Sequence, residues 1–101
     1  MKLIIKLFFL CSLLIATPAS AHTLHFTQDD NGDNTVELIG MYSTGEIAAN
    51  TPIKLIEKKS GKVLWQGRTD EDGYCTFTRP AMTYEVELDA GAGHQCREDG
   101  I

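Results

Sequence analysis

Basic charge is in short supply. Lys and Arg together number 9 against 14 Asp and Glu, giving a formal net charge of −5. Two of those cations, Lys2 and Lys6, stand at the very start, so the remainder of the chain is more acidic still. Such a surface repels phosphate backbones and anionic lipid, which argues against nucleic acid as a partner; it is compatible with attracting metal cations. Cysteine, proline and histidine each occur only 3 times, and tryptophan once. No glycine-rich phosphate loop and no nucleophile elbow is present, and three histidines give little material for a hydrolytic triad. An enzyme is not expected. Beyond residue 21 there is no helical periodicity, no repeat and no second long apolar run, so a membrane-spanning protein is not expected either.

What is present begins with a leader. After Lys2 and Lys6, residues 7–16 form an almost unbroken apolar run that includes Phe8, Phe9, Leu10, Leu13, Leu14 and Ile15. Pro18 follows, and Ala19 and Ala21 supply small residues at the two positions a signal peptidase reads. This is the pattern of a secretory signal peptide over residues 1–21, with a single domain over residues 22–101 exported to the periplasm. Cys11 lies inside the apolar run behind bulky neighbours, unlike a lipoprotein cleavage site. A domain this small buries a modest core and has little stability to spare.

The exported part alternates with a period of two, broken by turn clusters, which predicts an all-β, antiparallel sandwich of about six to seven strands. Apolar residues alternate through Leu24 and Phe26; through Val36, Leu38, Gly40 and Tyr42; through Ile53 and Leu55; through Val63 and Trp65; around Phe77; and through Tyr84, Val86 and Leu88. Of these, Leu24, Phe26, Val36, Leu38, Ile53, Leu55, Val63, Trp65, Phe77, Tyr84, Val86 and Leu88 are the expected core. "DDNGDN" at 29–34 resembles a calcium loop only loosely and reads as a hairpin turn, as does "TDEDG" at 69–73. If every short connection reverses the chain, one pole gathers the start of the first strand, the loop with Glu46, Cys75, and the tail "AGAGHQC".

That pole would collect all three histidines. An N-terminal His22, exposed by cleavage, offers its α-amine and imidazole Nδ1 to one metal ion. A further imidazole completes the three-nitrogen set favoured by copper(II) or nickel(II). His94 follows Gly91 and Gly93, which free the backbone to aim it inward. The candidate metal ligands are therefore His22 and His94, with His25, Asp89 or Glu46 as a third donor. His25 is opposite in parity to His22 within a regular strand, so it shares the metal only if the first residues are irregular. Cys75 and Cys96, at the same pole in an oxidising compartment, are expected to form a disulfide.

"GEIAANTPIKLIEKKSGKVLWQGRTDEDGYCTF" resembles the carboxypeptidase-regulatory-like, or prealbumin-like, β-sandwich, over about a third of the chain. "AHTLHF" and "YEVELDAGAGHQ" are similar to the ends of the small periplasmic accessory component of nickel/cobalt energy-coupling-factor transporters. That resemblance implies a nickel or cobalt binding accessory to metal uptake, with a transporter membrane component as a partner, and it falls on His22 and His94. The Cys75/Cys96 pair is a departure from that pattern. A periplasmic copper(II) carrier and a metal-free adhesion or assembly module are the alternatives.

Overall fold

The structure, a computed structural model, describes residues 23–101. Seven strands follow one another with no helix among the described residues: β1 (Leu24–Asp30), β2 (Thr35–Tyr42), β3 (Pro52–Glu57), β4 (Val63–Arg68), β5 (Tyr74–Thr78), β6 (Tyr84–Asp89) and β7 (Gln95–Asp99). They form two antiparallel sheets, β1-β2-β5 and β4-β3-β6-β7. The all-β sandwich read from the alternation is the observed architecture.

Period-two burial explains the two layers. Leu24 and Phe26 of β1, Val36 and Leu38 of β2, and Phe77 of β5 point inward from the three-stranded sheet. Ile53 and Leu55 of β3, with Tyr84, Val86 and Leu88 of β6, meet them from the other sheet. Phe77 stands edge-on to Tyr84, with ring centroids 6.2 Å apart. Two contacts fix the lateral arrangement. Trp65 of β4 packs on Phe77 of β5 at 6.0 Å, so those strands share one edge of the sandwich. Gln28 of β1 donates from Nε2 to the Asp99 carbonyl of β7 at 3.0 Å, so those two share the other.

Two expectations need correction. Val63 and Trp65 do not join the sealed core; they remain 40% and 38% exposed. β4 is an edge strand whose pairing with β3 shifts between Leu55 and Ile56. Trp65 is opposite Leu55 and lies over Gly67, where any Cβ would collide with its ring. The seventh of the expected six to seven strands is β7, which pairs with β6 from Asp89↔Gln95 to Glu85↔Asp99. Its Arg97, Glu98 and Asp99 give no apolar alternation, so hydrophobic patterning does not reveal it. The second correction is that the Cys75–Cys96 disulfide is not formed; both are free cysteines. β5 and β7 bound opposite edges of different sheets. Two strand spacings sideways and one sheet separation put these residues about 14 Å apart, beyond the ~7 Å that a bridge spans.

The pole where β2 ends is tied by backbone and hydroxyl bonds. Gly73 adopts φ +83° and accepts Gly40 N–H at 2.8 Å. A Cβ there would press to 2.7 Å from the Gly40 carbonyl, so both conformation and space require glycine. Buried Thr69 accepts Thr51 N–H on its hydroxyl at 2.8 Å and donates to the Ala48 carbonyl at 2.6 Å. That hydroxyl clamps the β2–β3 connection to the end of β4.

Candidate metal site at the histidine pole

The pole is built around Tyr42, the last residue of β2. Alternation along β2 turns Val36, Leu38, Gly40 and Tyr42 to the interior, and Tyr42 packs half-buried against the end of the core. β1 runs alongside with Leu24 opposite Tyr42. The pairing extends one residue further: Thr23 N–H donates to Ser43 Oγ at 3.0 Å, and Ser43 N–H donates to the Thr23 carbonyl at 2.8 Å. The first described residue is thus fastened beside the end of β2.

From the other sheet comes the turn between β6 and β7. Gly91 and Gly93 take φ +112° and +80°, conformations that side chains disfavour. The turn closes with Ala90 N–H on the His94 carbonyl at 2.8 Å and His94 N–H on the Gly91 carbonyl at 2.9 Å. His94 then lies against Tyr42, ring centroids 6.0 Å apart and nearly perpendicular at 89°. The imidazole sits half-buried over the open end of the sandwich. The shared pole inferred from strand parity is therefore the observed one for the start of β1, the end of β2 and His94.

The other candidates are placed differently. His22 lies outside the described residues. His25 faces away from the core, opposite Met41 on the outer side of the three-stranded sheet, whereas Leu24 and Phe26 on either side of it face inward. The fold does not bring His25 to the side of Tyr42 where His94 sits. Asp89 is occupied in shaping the turn: Oδ1 accepts Gly91 N–H at 2.9 Å, and Oδ2 accepts Gln95 Nε2 at 3.2 Å. Glu46 is exposed and contributes only its backbone carbonyl, to Tyr42 N–H at 2.8 Å.

Among the described residues, no group of three or more His, Cys, Asp and Glu is placed to hold a metal ion. What they furnish at this pole is one imidazole, an aromatic wall and a fastened start of β1. Parity places Tyr42 at this pole, but the sequence marks neither Tyr42 nor Ser43 as a site residue. The alternation ending at Tyr42 carries its inward direction, but nothing local marks Ser43 as the anchor for Thr23.

The thiols are chemically quiet. Burial, and secondarily the Asp70 charge, raise the Cys75 thiol above its ordinary value of 9.0. Burial, followed by Glu98, does the same to Cys96. Neither is poised as a thiolate ligand near neutral pH. No protein-family model, curated protein or solved structure matches the chain.

Proposed function

We propose that the exported protein binds nickel or cobalt as a periplasmic accessory to metal uptake, holding the ion through the α-amine and imidazole of His22 and the imidazole of His94. The observation that supports this reading is the fastening of Thr23 to Ser43 beside Tyr42, the residue on which His94 rests. On β1, Leu24 turns to the inner side of its sheet by the two-residue period. Tyr42 and His94 belong to that same side. The donor chemistry fits: an amine and two imidazoles suit a divalent first-row ion, and the thiols, held protonated, do not compete. The similarity of both chain ends to the accessory component of nickel/cobalt energy-coupling-factor transporters points the same way and names the class of partner, a transporter membrane component.

The test uses exported, leader-cleaved protein titrated with nickel(II), cobalt(II) and copper(II) against a competing chelator. His94→Ala should weaken nickel binding at least about tenfold. His25→Ala, on the far face of the sheet, should leave it within about twofold. Equal losses in the two variants, or none in either, would contradict the site. Copper(II) will bind more tightly than nickel(II) to any such nitrogen set, so the order of affinities carries no weight.

A further inference from the structure

Four strands have a free edge, and three of them are guarded. β1 carries Asp29 and Asp30, β7 carries Arg97, Glu98 and Asp99, and β4 carries Arg68 and the register shift. β5, "YCTFT", has no charge, no proline and no bulge, the composition that invites another strand. Its backbone direction is fixed by its neighbours. The Gly73 carbonyl and Arg79 N–H both face β2, so odd-numbered residues bond inward and even-numbered ones face the open edge. Tyr74 is already occupied, its N–H on Asp70 Oδ1 and its carbonyl taking Asp70 N–H. The edge thus presents the peptide groups of two residues, Thr76 and Thr78.

We propose that this edge docks a second copy of the chain, β5 against β5, antiparallel about a twofold axis at Phe77. In that register Thr76 meets Thr78 of the other copy and the reverse, giving four backbone hydrogen bonds from the edge-facing groups alone. Cys75 comes opposite Arg79 of the other copy; the Arg79 guanidinium turns away from this edge to Asp30 of its own β1 at 2.8 Å and leaves the contact clear. The apolar cleft of about 330 Å³ beside it, lined by Leu64, Trp65, Pro80 and Met82, would be flanked by its symmetry mate. Trp65 and Met82 there are 38% and 44% exposed. A register centred on Thr76 is blocked, because Thr78 of the other copy would fall where Asp70 already sits.

Sedimentation equilibrium on the leader-cleaved protein tests this, with reductant to exclude disulfides and chelator to exclude metal bridges. A concentration-dependent monomer–dimer equilibrium is expected. Thr78→Pro removes an N–H that points away from β2, so it costs the monomer no ladder bond but removes bonds across the axis. Thr76→Lys puts a charge on each side of the contact. Each should raise the dissociation constant at least about tenfold with an unchanged far-ultraviolet circular dichroism spectrum. Should one variant misfold, the other decides. A wild-type protein that stays monomeric into the millimolar range, or a dimer indifferent to the folded variant, would overturn the proposal.

Discussion

Cys75 and Cys96 show how far one residue's chemistry depends on its lateral position. Both face partly inward and both begin strands at the same pole, which is why an exported chain with this pair suggests a bridge. Their strands lie at opposite edges, so the two thiols remain separate and protonated. Unfolding leader-cleaved protein without reductant should therefore release two titratable thiols per chain. In the native state both should alkylate slowly at pH 8, because burial raises them above their ordinary 9.0. Recovery of no thiol from carefully unreduced material would mean that the edges are arranged otherwise. Thr69 is the other residue whose chemistry is set by place. Thr69→Val keeps the shape but strands Thr51 N–H and the Ala48 carbonyl in a buried setting. The expected cost is about 1–3 kcal/mol, read as a lower denaturant midpoint at unchanged slope.

Among the elements, the β1–β2 hairpin carries the acid sensitivity. Asp30 lies below its ordinary value of 3.8, chiefly because Gly32 N–H and then Arg79 stabilise its charge. Asp33 is lowered by the Thr35 hydroxyl and then the Thr35 N–H. A carboxyl that is more acidic when folded adds stability above its unfolded value, and that stability fades as pH falls through the folded value. The melting temperature should accordingly drop as pH is taken below about 4. Replacing both, Asp30→Asn with Asp33→Asn, should flatten that drop; an unaltered acid profile would exclude the hairpin as its source. At this scale the sequence was informative wherever apolar residues alternate against turns. Leu24, Phe26, Val36, Leu38, Ile53, Leu55, Phe77, Tyr84, Val86 and Leu88 all lie in the core. It was uninformative for β7, whose residues are mostly charged, and for β4, where alternation gives the face of Trp65 but not that an edge strand leaves it half covered.

For the whole molecule, the same distinction separates what local pattern encodes from what it does not. Period and turn spacing determine which way a strand runs and which side it buries, and hence the pole at which Tyr42 and His94 meet. Strand order is a property of pairing between distant segments, and no local feature of "YCTFT" or "QCRED" says that they bound opposite edges. For the candidate site, His94 at the pole was legible from strand parity and its flanking glycines; the positions of His25 and Asp89 relative to it depended on outer-face direction and turn bonding.

The account rests on His22 acting through its α-amine, and one comparison tests that most directly. Leader-cleaved protein beginning at His22 is titrated with nickel(II) beside a protein with one alanine added before His22. The addition keeps both imidazoles but moves the amine out of its chelate ring. The account predicts that the extended protein binds at least about tenfold more weakly, a loss equivalent to the affinity change of about 1.4 kcal/mol. Equal affinity in the two proteins would contradict it.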